Sequence, residues 1–151
     1  MRDSLQNLLN RKEKNMATWR DIKSFARGIP GVTVVAEQGS VMQVEIGFDD
    51  GRSHRAFITE RRSGVGSHWV VISVIVAESS PARLEAVARA ASRYFCGGVA
   101  TYTLNGFTGI VLQEGFPTTN LDPMEFVAPL SVLAATADHL EKVITGGSDV
   151  F

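Results

Sequence analysis

The chain is poor in the residues that most directly announce chemistry. Cys96 is the only cysteine, so no internal disulfide can form. A lone thiol suits a reducing compartment, and a cytoplasmic location is expected. The three histidines, His54, His68 and His139, fall in no HxH or HxxxH spacing, so no metal set is expected from them. The longest apolar run, Trp69–Ala77, is strand-sized, well short of the roughly 18–20 residues of a membrane span. The N-terminus has no apolar stretch of signal-peptide type. The formal net charge is −1 with a pI near 6.3, which argues against bulk electrostatic binding to nucleic acid or an anionic membrane.

What is present is ordinary globular material. The 151 residues are 44% hydrophobic and 21% charged, enough for one domain with a core. Residues 1–15 read as a separate polar arm, with Leu5, Leu8 and Leu9 able to form one helical stripe. Met16 is a second candidate start, and residues 16–151 read as a single domain. Thr18 and Asp21 make a capping pair for a short helix with Trp19, Ile22 and Phe25 on its apolar face, stopped by Gly28 and Pro30.

Strands follow. Val32–Ala36 is β-branched, and Gln38-Gly39-Ser40 turns the chain. Val41–Phe48 alternates, with Met42, Val44, Ile46 and Phe48 on one face. After Asp49-Asp50-Gly51, a three-residue loop with Gly51 left-handed sets His54, Ala56 and Ile58 against that face. This register buries fewer charges than the two-residue alternative. His68–Ala77 is apolar on both faces, with Trp69, Val71 and Ile75 on one and Val70, Ile72, Val74 and Val76 on the other. Such a strand is either covered on both sides or offers one face as an interface.

Ser80-Pro81 opens a second helix carrying Leu84, Val87, Ala88, Ala91 and Phe95. Asn105-Gly106 joins two strands, Thr101–Leu104 and Phe107–Gln113. Asp122, Pro123 and Glu125 announce a last helix, with Pro129 inside it predicted to kink it. The expected fold is α+β: an antiparallel sheet of about six strands, three helices largely on one face, in the order α-β-β-β-β-α-β-β-α.

The polar candidates reduce to structural readings. Cys96 sits at a helix C-terminus, where the dipole opposes a thiolate. Gly64-Val65-Gly66-Ser67 resembles half a phosphate loop, but it leads into a strand and has no lysine beside it. Arg52, Arg55, Arg61 and Arg62 form the densest basic cluster, read either as an anion patch or as charges guarding a strand edge. Glu85, Asp138, Glu141 and Lys142 read as solvated helix faces.

The C-terminal half carries a family resemblance. It reads Ala100-Thr-Tyr-Thr-Leu-Asn-Gly-Phe-Thr-Gly-Ile-Val-Leu, then Leu121-Asp-Pro-Met-Glu-Phe, then Leu133-Ala-Ala-Thr-Ala-Asp-His-Leu-Glu. This resembles the YbjN-like group of bacterial proteins, whose fold is similar to that of type III secretion chaperones. The resemblance covers roughly residues 17–145 in element order. It implies a homodimer of α+β protomers that holds partner proteins through exposed apolar grooves, without a cofactor.

The expectation is therefore a non-enzymatic, chaperone-like protein-binding module with no cofactor and no metal. Partner-binding residues are expected at Trp19, Ile22, Phe25, Val70, Ile72 and Val74. Dimer contacts are expected at Leu84, Val87, Ala91 and Phe95. The alternative is a small-molecule or enzymatic domain with an enclosed pocket between sheet and helices, signalled by convergent polar groups such as His54 with Glu60. A weaker alternative is a nucleic-acid-associated factor using the arginine cluster.

Overall fold

The computed structural model describes residues 16–62, 64, 66–94 and 97–146, with Tyr94 described by its backbone alone. Helix α1 (Trp19–Arg27) begins where Thr18 and Asp21 cap each other: the Asp21 N–H donates to the Thr18 hydroxyl at 3.2 Å, and the Thr18 N–H donates to the Asp21 carboxylate at 2.8 Å. This satisfies donors that the first helical turn would otherwise leave unpaired.

Six strands follow: β1 (Val32–Gln38), β2 (Val41–Gly47), β3 (Ser53–Arg62), β4 (His68–Glu78), β5 (Gly98–Leu104) and β6 (Phe107–Pro117). They make one antiparallel sheet in the order β1-β2-β3-β4-β6-β5. Helix α2 (Pro81–Tyr94) carries the chain from β4 to the edge strand β5, and helix α3 (Pro123–Thr145) closes the chain. The fold is α+β with the expected element order. Helix α3 is capped by Asp122 and Glu125 and runs unbroken through Pro129.

Two turns set the register. Gly51 has φ +85°, a conformation glycine adopts without strain. The loop it closes pairs Ile46 with His54, Val44 with Ala56 and Met42 with Ile58, as the three-residue loop requires. Asn105 (φ 51°) and Gly106 (φ 81°) form the tight hairpin between β5 and β6.

All three helices cover the same face. Met42, Val44, Ala56, Ile58, Val70, Ile72, Val74, Val76, Ile110 and Leu112 are buried there with Phe126, Leu130, Leu133 and Leu140 of α3. Val70, Ile72 and Val74 are therefore interior residues and not a partner groove. Burying a Val or Ile side chain stabilises by about 1.5–3 kcal/mol. Exposing all three would cost about 5–9 kcal/mol, comparable to the whole stability of a small domain.

The first helix is also committed to its own core. Ile22 is buried, and Trp19 and Phe25 pack half-buried on the same cluster. The Trp19 indole N–H donates to the Gly39 carbonyl at 3.2 Å. Lys23 and Arg27 both reach Glu37 on β1. In α2, Val87 and Ala91 are buried and Leu84 packs on that core, so this stripe faces inward and not toward a second protomer. Phe95 and Cys96 lie outside the described residues, as does the arm 1–15.

The opposite sheet face carries no helix among the described residues. Its centre is a smaller apolar cluster of Phe57, Ile75 and Val111, with Val41, Ala100, Tyr102 and Phe107 packed on it. A register shift in β4 between Ile75 and Ala77 locally increases twist. In a flat sheet β3 and β5 would stand about 14 Å apart, with β4 and β6 between them. The Phe57 and Tyr102 rings nevertheless stack at 4.3 Å, nearly parallel at 12°. The sheet curls so that this face is concave.

Candidate functional site

Strand alternation brings the site together. On β2 the residues pointing away from the helices are Val41, Gln43 and Glu45; on β3 they are Arg55 and Phe57. Tyr102 of β5 lies opposite Gly109 of β6, and Leu104 opposite Phe107. Gly109 matters sterically. A Cβ there would sit 3.0 Å from Phe107 Cε1 and 3.4 Å from Ile75 Cγ2. The bare glycine lets the Phe107 ring lie down on the sheet.

Three depressions of about 190, 260 and 190 Å³ indent this concave face. The first and second share Arg55, Ile75 and Phe107; the second and third share Gln43, Phe57, Tyr102 and Leu104. They are thus one furrow, running across the strands on both sides of the Phe57–Tyr102 stack. Its walls are aromatic and aliphatic, and Gln43, Glu45, Arg55 and Asn105 add hydrogen-bonding groups. Glu45 and Arg55 are direct cross-strand neighbours. A furrow of this kind can receive side chains in its depressions while amide and guanidinium groups meet a peptide backbone.

The second notable constellation lies on the other side of the sheet. His54 is 2% exposed and Glu141 is 1% exposed. The imidazole Nδ1 is 3.0 Å from the Ile75 carbonyl oxygen, so this nitrogen carries the proton and donates it. Nε2 faces Glu141 Oε2 at 3.4 Å and Asp138 Oδ1 at 3.6 Å. Phe48 sets its ring edge-on to the imidazole, with centroids 5.7 Å apart. Asp138 also binds Arg52, and its other oxygen accepts from Lys142 Nζ at 3.0 Å. Arg52 reaches on to Asp50 at 2.6 Å.

These bonds bias the charges. Hydrogen bonds from Arg52 hold the Asp50 carboxyl below its ordinary value. Burial pushes Asp138 up, but hydrogen bonds from Lys142 and Arg52 outweigh it and keep Asp138 low. Hydrogen bonds to Asp50 and then Asp138 hold the Arg52 guanidinium more firmly protonated.

No protein-family model matches the chain, and no curated protein matches it in sequence.

The arginine cluster comes apart in space. Arg52 is tied to Asp50 and Asp138 on the helix side. Arg55 lines the furrow on the opposite side. Arg61 and Arg62 stand exposed at the far end of β3, opposite Trp69 and His68; that is about 20 Å of strand from Arg55. Four arginines close in sequence thus form no single anion patch.

His54 and Glu60, the example of a convergent pair that would signal an enclosed pocket, do not meet, because they stand six positions apart on β3, about 20 Å of strand. Glu60 faces His68 instead, at 3.6 Å.

The buried polar cluster went unseen because Asp138 and Glu141 read as solvated. One signal was present. Position 141 lies four residues after Ala137 and seven after Ala134, both buried, so it falls on the apolar stripe of α3. No helix of the described residues is long and apolar enough to cross a membrane.

Proposed function

We propose that this chain is a non-enzymatic protein-binding module, chaperone-like in action, that holds an extended segment of a partner protein in the furrow on its helix-free sheet face. The observation that carries the reading is the Phe57–Tyr102 stack, which divides one continuous furrow into side-chain-sized depressions. Apolar walls supply affinity through burial, and Gln43, Arg55 and Asn105 supply direction. The YbjN-like resemblance points the same way, toward a module that grips other chains. It adds a homodimeric assembly, whose contacts would have to lie outside the inward-facing stripe of Leu84, Val87 and Ala91.

The small-molecule alternative needs more enclosure. Ligand clefts typically hold about 300–1,000 Å³. The depressions of the furrow, at 190–260 Å³ each, connect along an open surface instead of closing into one such cleft. That shape favours a chain lying across strands over a molecule sealed within a pocket.

Selection of displayed random peptides against the full chain tests this. Enriched sequences should bind the wild type and lose at least tenfold in affinity against Tyr102→Ala and Arg55→Glu, while Trp19→Ala leaves binding unchanged. Enriched peptides indifferent to Tyr102→Ala and Arg55→Glu, or no enrichment at all, would contradict the reading.

A further inference from the structure

The geometry points to a divalent transition-metal site at His54, Asp138 and Glu141, of zinc type, clamping β3 to α3. Its carboxylates lie on the helix side of the sheet, while His54 also borders the first depression of the furrow. The three ligand atoms converge within 4.8 Å of one another.

Distance is the first argument. An N–H···O bond to a carboxylate closes to about 2.7–2.9 Å. His54 Nε2 stands farther off, at 3.4 Å from Glu141 Oε2 and 3.6 Å from Asp138 Oδ1, the oxygen that Arg52 also holds. A tetrahedral ion with bonds of about 2.0–2.1 Å sets its ligand atoms about 3.3–3.4 Å apart. Those two separations are close to that spacing, and all three ligand atoms lie within 4.8 Å of one another.

The support around the ligands is the second. Metal-bound histidines usually donate their other ring N–H to a carbonyl or carboxylate, which fixes the tautomer and aims the lone pair. Here Nδ1 is fixed by the Ile75 carbonyl at 3.0 Å, so a neutral imidazole presents its lone pair at Nε2. Asp138 and Glu141 are three residues apart on α3, which places them on one helix face.

Donor chemistry is the third. Asp50, Asp138 and Glu141 stand against Arg52 and Lys142. Carboxylate oxygens gathered around an imidazole nitrogen are a donor set that a divalent transition-metal ion accepts. Imidazole nitrogen selects zinc or cobalt over magnesium or calcium, which prefer all-oxygen shells. Asp138, 14% exposed, is the ligand nearest solvent.

The test uses the full chain, stripped with chelator and titrated with zinc(II), then with cobalt(II) for its absorption bands. One zinc per chain should bind with micromolar or tighter affinity, and a hundredfold excess over Kd should raise Tm by about 5–10 °C. Glu141→Gln keeps size and hydrogen bonding and should weaken binding at least tenfold. His54→Gln should do the same, and His68→Gln, remote from the site, should not. The proposal is overturned by no saturable binding at zinc concentrations on the order of 100 µM, by binding that survives Glu141→Gln, or by an NMR nitrogen shift showing Nε2 of His54 protonated in the presence of saturating zinc.

Discussion

Phe57 on β3 and Tyr102 on β5 stack at 4.3 Å although two strands lie between theirs in the sheet. That contact turns the helix-free face from a flat surface into a furrow. It also separates two apolar clusters: the larger one under the helices, and a smaller one around the stack, where Phe57, Ile75 and Val111 are buried beneath the furrow.

The stack itself should be worth little to stability. Tyr102 is half-buried on an edge strand, and a stacked aromatic pair contributes about 0.5–1.5 kcal/mol beyond its area. Tyr102→Ala is expected to cost about 1–2 kcal/mol in urea unfolding, with an unchanged m-value. A loss of about 4 kcal/mol or more would place the pair in the structural core.

Residues beneath the helices should behave oppositely. Ile72 is fully buried, so Ile72→Ala is expected to cost about 2–5 kcal/mol. Peptide binding should persist in whatever fraction remains folded. A near-neutral Ile72→Ala would mean that β4 is loosely covered and that its inner face is open to partners.

Gly109 offers a steric handle on the furrow. Gly109→Ala brings a methyl to 3.0 Å from Phe107 Cε1, the far end of a side chain, and 3.4 Å from Ile75. The ring should move and partly fill the depression it lines. Shifted Phe107 ring protons, a folded protein and weaker peptide binding are expected; unchanged ring shifts would show that the furrow floor is differently built.

Acid should loosen the tie between the β2–β3 loop and α3. Asp50 is held low by Arg52, and Asp138 by Lys142 and Arg52 against the pull of burial. A depressed carboxylate contributes stability above its unfolded pKa of about 3.9, and that contribution is lost as pH falls through the lower folded value. The urea midpoint should therefore fall from about pH 5 downward. Arg52→Gln should lower the midpoint at neutral pH and converge on the wild type near pH 2–3. Parallel curves across that range would show that Arg52 contributes nothing through these charges.

Much of the fold was readable from local rules, because those rules act within a few residues. Thr18 with Asp21, and Asp122 with Glu125, mark helix starts through donors that need acceptors. Gly51 set the β2–β3 register, since the competing register buried more charge. The site was less readable. Both faces of β4 are apolar, and nothing within the strand says which one the helices cover; Val70, Ile72 and Val74 went to the core while Trp69 and Val71 remained on the concave side. The arginines looked clustered because sequence nearness ignores alternation and strand length. The furrow depends on sheet curl, which joins β3 to β5 across two other strands and leaves no local trace. The His54 cluster joins β3 to α3, residues more than eighty positions apart in the chain.

The most direct test is NMR mapping of a selected peptide on the labelled wild-type chain. Binding in the furrow predicts perturbed signals concentrated at Gln43, Arg55, Phe57, Tyr102 and Phe107, with Ile22, Val87 and Leu133 unmoved. Perturbations centred on Trp19–Phe25 or on the outer side of α2, with the furrow silent, would contradict the account.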